Sequence, residues 1–298
     1  MNKWLLVLLV FFSCSKHEKY NVVWIVVEDQ SQYFFPTYGN DEISLPNLES
    51  LANESLIFKN MYATYPVCAP ARSSIITGMY PSSIGTHNMR AYNGNREVRG
   101  KKNDFNPCSE SESVLDIPYY SSNLAEQIPS FPETLRKNNY YTTNNSKRDY
   151  NFKISENVWD ESSNNADWSN RSPNQPFFSV FNFAITHESS IWRRDSDKLL
   201  VNPDDLYIPP FFPNDSLTRH SYAVNYSNLI LVDRQIGNLI ERLKNENLYD
   251  SSYIFFYSDH GGPFPRHKRS LKDTGVKVPL YVKQPKNLRE KINTDQLL

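Results

Sequence analysis

The sequence predicts an α/β fold with a largely parallel central sheet and helices on both of its faces. Two segments dominated by β-branched and aromatic residues, Asn21–Val27 and Phe177–Phe183, support this prediction, and a third run at 253–257 follows a long amphipathic pattern. Unbroken runs of β-branched and aromatic residues are typical of strands that are buried on both faces of a parallel sheet. Because these runs alternate with helical patterns along the chain, α/β organisation is favoured.

The clearest predicted helix is the amphipathic segment from Tyr226 to Leu243, in which apolar residues recur every three or four positions. Another helix is predicted over 46–56, because its apolar residues have helical spacing after Pro46, which suits a first helical turn. Further helices are predicted at 73–79 and from 132, further strands at 140–143 and 278–282, and a long polar surface excursion at 92–126.

The composition excludes some classes of partner. The 298 residues suffice for one large or two modest domains with a buried core. Lys and Arg number 32 against 33 Asp and Glu, so the net charge is -1. This balance gives no electrostatic support for binding to nucleic acid or to an anionic membrane surface. We therefore expect no nucleic-acid partner.

Residues 1–19 are predicted to be an export signal. Lys3 supplies a positive start, an apolar run spans 4–12, and polar residues follow Cys14. The run is shorter than the about 20 residues that span a bilayer, so a signal h-region is favoured. A small residue followed by Cys14 resembles a bacterial lipoprotein signal, with an ordinary cleaved signal as the alternative. We expect an exported protein, periplasmic or anchored in the outer membrane, that contacts membrane only through a lipid anchor.

Two cysteines, Cys68 and Cys108, remain after the signal. Exported proteins usually pair their cysteines, so one interpretation is a single disulfide. The other interpretation is that Cys68 is chemically modified and Cys108 is a lone thiol.

Two predicted strands end in acidic clusters, Glu28-Asp29 and Asp259-His260. Ligands bind at the carboxyl ends of strands in open α/β sheets, and both clusters would meet there if the two strands were parallel neighbours. Hard oxygen ligands gathered at one edge would suit Ca²⁺ or Mg²⁺. The alternative for each cluster is an ordinary polar start of a loop.

The segment Cys68-Ala69-Pro70-Ala71-Arg72, followed by Ser-Ser-Ile-Ile-Thr-Gly, resembles the Cys-x-Pro-x-Arg signature of the sulfatase family. The match extends over 67–90 and is most similar to heparan N-sulfatases and bacterial glycan sulfatases. The resemblance covers 21 to about 282 and implies an alkaline-phosphatase-like sandwich. It implies a catalytic domain over 20–298 that is truncated, with the usual C-terminal subdomain missing.

The resemblance implies that Cys68 is the nucleophile after oxidation to formylglycine by a formylglycine-generating enzyme. One hydroxyl of the hydrated aldehyde attacks sulfur, and the other expels sulfate as the aldehyde forms again. An ordinary Ser or Cys nucleophile has no second hydroxyl with which to release the sulfate. A position at a helix N-terminus would add N–H donors and a favourable dipole for the anion. Arg72, one turn further on, would add a fork of donors.

The metal ligands implied by the resemblance are Glu28, Asp29, Asp259 and His260, with the modified Cys68 completing the site. The first of these is usually Asp in the family, so the longer Glu28 is a departure that puts its role as a ligand in doubt. One divalent cation is implied, and Ca²⁺ is favoured.

Other catalytic positions are also implied by the resemblance. Lys147 and Lys268 match cations that contact sulfate, and His187 matches the histidine that meets the leaving-group oxygen. Many relatives have a histidine two residues after the first lysine, where this sequence has Asp149. Asp149 and His87 are therefore the two candidates for the base that assists release of sulfate.

A sulfated carbohydrate is the substrate class that the resemblance implies. One alternative is a phosphomonoesterase or phosphodiesterase of the same superfamily, although phosphatases of the superfamily commonly recruit a second metal. The other is an inactive, truncated lipoprotein that binds glycans without hydrolysing them.

Overall fold

The computed structural model describes residues 19–89, 122, 125 and 127–289. Apart from Lys19, the predicted signal at 1–19 lies outside these residues, as do Cys108 and almost all of the predicted excursion at 92–126. Among the described residues, no helix combines the length and the apolar character that crossing a lipid bilayer requires.

A seven-stranded sheet in the order β2-β7-β6-β1-β5-β3-β4 forms the centre of the described fold. The strands β6, β1, β5, β3 and β4 run parallel, whereas β7 is antiparallel to β6 and β2 is antiparallel to β7. The predicted, largely parallel α/β sheet is therefore confirmed. The strands are β1 (Asn21–Val27), β2 (Ser55–Ile57), β3 (Tyr141–Asn145), β4 (Glu161–Ser162), β5 (Phe177–Phe183), β6 (Ser252–Ser258) and β7 (Leu280–Lys283).

Helices cover both faces of this sheet, as predicted. Short 3-10 turns at Gln32–Phe34, Pro36–Tyr38, Trp168–Asn170, Ala184–Thr186 and Pro203–Asp205 connect the elements. The helices are α1 (Pro46–Asn53), α2 (Cys68–Thr77), α3 (Phe131–Lys137), α4 (Ser190–Arg193), α5 (Ser216–Asn245), α6 (Asp273–Val276) and α7 (Lys286–Arg289).

The two faces of β1 pack into two different hydrophobic cores. Val23, Ile25 and Val27 are buried in the core that contains apolar residues of α1 and α5. Trp24 and Val26 contribute to a second core, together with apolar residues of α2 and α3. Because successive side chains of a strand alternate between faces, burial on both sides requires the unbroken apolar run that the sequence shows.

The predicted helix over 46–56 is wrong at its C-terminal end. α1 ends at Asn53, and Leu56 lies in β2, opposite Val282 of β7. Helical spacing is a weak preference, and pairing with a neighbouring strand outweighs it here because the pairing satisfies backbone groups at the sheet edge. The two-residue strand β4 is also absent from the sequence prediction, since a strand so short has no readable period.

α2 begins at Cys68, earlier than the predicted start at 73. Pro70 lies within its first turn, where a missing N–H costs no helical hydrogen bond. The helix ends at Gly78, whose φ of 70° is left-handed and favours glycine. The cysteine of the signature motif is therefore the first residue of a helix.

Lys283 of β7 is buried, and its ammonium donates hydrogen bonds to the backbone carbonyls of Tyr249 and Ser252. Burial and the nearby Arg289 lower the pKa of Lys283 from 10.5 to about 8. Between these values the unfolded chain binds the proton more tightly than the folded chain does, so stability rises with pH across that window.

We compare the free energy of unfolding of the unchanged protein with that of Lys283→Met. From the lower to the upper end of this pH window, we expect the difference to shift in favour of the unchanged protein by on the order of 2 kcal/mol. Urea denaturation of both proteins at the two ends of the window measures this difference. The same difference at both ends would contradict a depressed lysine pKa.

Candidate active site

The register of β1 and β6 brings the two acidic clusters together at the carboxyl edge of the sheet. Val27 lies opposite Ser258 in this parallel pair, so Glu28-Asp29 and Asp259-His260 follow side by side. The Asp29 N–H donates to Asp259 Oδ1 at 3.2 Å. Asp29 has a φ of 55°, in the left-handed region that non-glycine residues rarely adopt, and such backbone strain is typical of functional sites.

Cys68 lies among these acidic and imidazole groups. Its Sγ is 3.7 Å from Glu28 Oε1, 3.8 Å from Asp29 Oδ1 and 3.1 Å from His260 Nε2. The residue is fully buried, and its thiol is free among the described residues. As the first residue of α2, Cys68 has the unpaired N–H groups and the positive end of the helix dipole beside it. An anion that forms at position 68 would be stabilised there.

Arg72 is held between the cluster and the sheet. Its Nε donates to Asp259 Oδ2 at 3.0 Å, and a terminal nitrogen donates to Asn182 Oδ1 at 2.7 Å. Asn182 in turn donates to Asn144 Oδ1 at 3.2 Å. The sequence reasoning missed Asn182, although a polar amide in the otherwise apolar run of β5 is a signal that could have found it.

Lys147 reaches the cluster from the segment that follows β3. Its Nζ contacts Glu28 Oε1 and is 3.9 Å from Asp149 Oδ2. The side chains of Glu28 and Asp149 are each about 3% exposed. The structure therefore places Lys147 and Asp149 together beside Glu28. By contrast, His87 is exposed, in the loop that follows α2.

His187 and Lys268 lie close to Asp29 and to each other. Lys268 Nζ is 2.8 Å from Asp29 Oδ2 and 3.3 Å from His187 Nε2. His187 Nε2 is 4.0 Å from Asp29 Oδ2, and its Nδ1 lies 2.8 Å from Ser189 Oγ. The imidazole is therefore oriented through Nδ1, with Nε2 directed towards the cluster.

Charges of opposite sign keep the central carboxyl groups ionised. Burial alone would raise the pKa of Asp29, but the nearby His260 and Lys268 hold it well below its ordinary value. Burial would also raise the pKa of Asp259, and there His260 and Arg72 lower it. Ionised carboxylates that are buried together need cations around them, and the site supplies these.

Unlike the carboxyl groups, the thiol of Cys68 is kept in its neutral form. Burial and the charges of Asp29 and Asp259 raise its pKa well above the ordinary value. The thiolate is the nucleophilic form of cysteine, so this environment disfavours an unmodified Cys68 as the attacking group.

The donor set fits a divalent cation. Single donor atoms of Asp29, Cys68, Asp259 and His260 all lie within 4.8 Å of one another, and Glu28 belongs to an overlapping group of the same compactness. Carboxylate oxygens are the ligands that Ca²⁺ and Mg²⁺ prefer, and the imidazole adds one nitrogen. Every one of these predicted ligands therefore lies at a single point of the fold.

The sulfatase family model matches residues 20–296 of this chain. The chain is 34% identical to an ulvan-active sulfatase of Formosa agariphila, over 94% of this chain and 50% of that protein. It is 23% identical to the N-sulphoglucosamine sulphohydrolase of Homo sapiens, over 88% of this chain and 55% of that protein. The chain thus spans about half the length of the curated relatives it matches.

Solved structures share the fold. A sulfatase of Bacteroides thetaiotaomicron, from a genetic locus for metabolism of multiple glycosaminoglycans, superposes with a TM-score of 0.66 at 16% identity, over 94% of this chain and 70% of that one. A phosphonate monoester hydrolase of Agrobacterium radiobacter superposes with a TM-score of 0.59 at 14% identity, over 90% of this chain and 68% of that one.

The sheet, its flanking helices and the buried carboxylate cluster define an alkaline-phosphatase-like fold, as the resemblance implied. The chain belongs to the sulfatase family. The relatives also confirm the predicted similarity to glycan sulfatases and N-sulfoglucosamine sulfohydrolases.

Proposed function

We propose that this chain carries the catalytic site of a sulfuric ester hydrolase that removes sulfate from a sulfated glycan. The nucleophile is a formylglycine made from Cys68, and one divalent cation, Ca²⁺ in our proposal, is held beside it. The observation that carries this proposal is the position of Cys68 Sγ, which lies 3.1–3.8 Å from three predicted metal ligands at a helix N-terminus.

Conversion of Cys68 needs an oxidant and a dedicated enzyme. The Cβ loses two electrons and its bond to sulfur, gains a double bond to oxygen, and releases the sulfur as hydrogen sulfide. A formylglycine-generating enzyme can supply this oxidation with molecular oxygen. One oxygen atom enters the aldehyde, and the other leaves as water with two electrons from an external thiol, which becomes a disulfide. The hydrated aldehyde then supplies one hydroxyl for attack on sulfur and a second for the expulsion of sulfate, so the enzyme is regenerated.

The residues around position 68 divide between binding and proton transfer. Arg72, Lys147 and Lys268 bring three positive charges to the site and bind the sulfate oxygens. A divalent cation on Glu28 and the aspartates would supply electrostatic stabilisation of the developing oxyanion when bound. We assign the base for sulfate release to Asp149, because its carboxylate lies 3.9 Å from Lys147 whereas His87 is exposed.

His187 is the group that delivers a proton to the leaving oxygen in this proposal. Burial and the nearby Lys268 lower its pKa to about 4, despite the opposing charge of Asp29. An arriving sulfate ester adds negative charge beside the imidazole, and such a charge raises the pKa of a histidine towards the range that suits a general acid.

Relatives and the N-terminal sequence support our proposals for the class of substrate and for the location. The name of one relative is ulvan-active sulfatase, and the protein i-CgsB, at 18% identity, was crystallised with k-i-k-neocarrahexaose. Together with the signal predicted at 1–19 and the lipidation predicted at Cys14, this supports a periplasmic or outer-membrane-anchored protein that acts on extracellular glycans.

The proposal is tested with chain that is co-produced with a formylglycine-generating enzyme and loaded with Ca²⁺. Nitrophenyl sulfate, nitrophenyl phosphate and a sulfated oligosaccharide are assayed in parallel. We expect hydrolysis of both sulfate esters and little hydrolysis of phosphate. A preference for phosphate would identify a phosphoesterase instead, and oligosaccharide binding without turnover would identify an inactive glycan-binding protein.

Replacement of His187 by alanine should affect sugar sulfates far more than aryl sulfates. A sugar alkoxide is a poor leaving group and needs its proton, whereas nitrophenolate does not. We expect kcat/KM to fall by about 10²–10⁴-fold on the sugar sulfate and far less on nitrophenyl sulfate. Equal losses on both substrates would contradict the leaving-group role. Asp149→Ala is the matched comparison, because slow release of sulfate should produce a burst of alcohol with both substrates.

A further inference from the structure

Glu188 lies between the buried Lys268 and the exposed Arg269. Its Oε1 is 3.2 Å from Lys268 Nζ. Its two carboxylate oxygens accept hydrogen bonds of 2.7 and 2.6 Å from the guanidinium of Arg269. Its backbone N–H donates to Asp29 Oδ2 at 2.7 Å. Glu188 is thus joined by its side chain to a sulfate-binding lysine and by its backbone to a metal ligand.

Among the described residues, Lys268 has two carboxylates within ion-pair distance, Asp29 and Glu188, and only Asp29 is a predicted metal ligand. Its side chain is 1% exposed, and a buried ammonium needs a counter-ion because it has lost its water. Asp29 Oδ2, at 2.8 Å, would share its charge with any cation that binds at the cluster. Glu188 is not a predicted metal ligand, so it remains a counter-ion of Lys268 when a cation binds, although it also pairs with Arg269.

Arg269 restricts the position of the Glu188 carboxylate. A bidentate contact between a guanidinium and a carboxylate fixes the distance between the two groups and the plane of the carboxylate. The backbone of Arg269 is itself anchored, since its N–H donates to the carbonyl of Pro66 at 2.7 Å, just before α2. The pair therefore ties the segment after His187 to the segment before Cys68.

We propose that Glu188 is a positioning residue that aims Lys268 at the sulfate, and that Arg269 holds Glu188 in this role. The inference rests on the proposed function, because it treats Lys268 as a ligand of sulfate. The sequence reasoning did not single out either residue of this pair.

Glu188→Gln removes the charge and keeps the shape. In Ca²⁺-loaded protein we expect KM for nitrophenyl sulfate and the Kd of inorganic sulfate, measured by calorimetry, to rise about tenfold. We expect kcat to change less, and Ca²⁺ affinity, measured by competition with a chelator, to stay within about twofold. On a Lys268→Met background the same substitution should have almost no further effect on sulfate binding.

Arg269→Ala is the second variant, and it should also weaken sulfate binding. Arg269→Lys should restore the binding only in part, because a lysine cannot donate two parallel hydrogen bonds to the Glu188 carboxylate. Glu246→Gln is the matched control, since Glu246 pairs with Arg242 at 2.8 Å near the C-terminal end of α5. The control should leave sulfate binding unchanged.

Three results would overturn the inference. They are unchanged sulfate affinity in Glu188→Gln, an undiminished effect on the Lys268→Met background, and a parallel loss of Ca²⁺ affinity, which would mean that Glu188 only supports the backbone beside Asp29. A failure of the unchanged protein both to bind sulfate and to hydrolyse sulfate esters is a different outcome, because it would overturn the proposed function itself.

Discussion

Replacement of Cys68 by alanine is expected to abolish sulfate-ester hydrolysis while the fold and the other predicted metal ligands remain. The proposed nucleophile is lost, and removal of a nucleophile typically costs about 10⁴–10⁶-fold in kcat. Cys68 is small and buried, so the substitution leaves only a minor cavity and a modest loss of stability. The measurements are turnover of nitrophenyl sulfate, thermal unfolding and Ca²⁺ binding.

Cys108→Ala is the matched control for this variant. If Cys68 is modified, Cys108 is a lone thiol, and its removal should leave turnover unchanged. If the two cysteines instead form a structural disulfide, both variants should lose stability together. Substantial turnover by Cys68→Ala would refute the assignment of the nucleophile.

Replacement of Asp259 by asparagine is expected to remove bound metal and activity together. Asp259 contributes one of the buried carboxylates of the cluster and also accepts the hydrogen bond from Arg72. Loss of its charge should weaken Ca²⁺ binding by roughly 10²-fold or more, because the site depends on ligand charge. Metal content after dialysis and turnover at increasing Ca²⁺ measure this effect, and excess Ca²⁺ should restore part of the activity.

Asp233→Asn is the matched control, since Asp233 is also a buried carboxylate but binds the N-terminus of α1. It accepts hydrogen bonds from the N–H groups of Asn47 and Leu48, at 3.3 and 2.8 Å. This control should lower stability without changing metal affinity. Full turnover by chelated, metal-free protein would show that the metal assignment is wrong.

The elements that the sequence predicts best are those whose environment is uniform. β1 and β5 have the predicted bounds, because each lies inside the sheet and is mainly β-branched and aromatic in sequence. β2 and β4 could not be predicted, since three and two residues are too few to show a period. The start of α5 was missed for another reason. The residues before Tyr226 are mostly polar, and Asn225 is buried among them, so the amphipathic pattern does not extend back to Ser216.

The residues of the candidate site divide in a similar way. Those to which the resemblance assigns a chemical role, such as Cys68 and Asp259, lie in short motifs with recognisable residue types. Supporting residues, such as Asn182 and Glu188, are recognisable only from their distances to Arg72 and Lys268. Contacts between residues far apart in the chain have no local pattern, and only the fold reveals them.

The proposed mechanism depends on a formylglycine at position 68, and a mass spectrum of the peptide that contains this position shows whether one is present. The chain is produced together with a formylglycine-generating enzyme, then digested without a reducing agent. We expect the peptide to have lost the elements of hydrogen sulfide and gained one oxygen atom, and to react with a hydrazide probe. A catalytically active preparation in which Cys68 is entirely unmodified, or entirely disulfide-bonded to Cys108, would show that formylglycine is not the nucleophile.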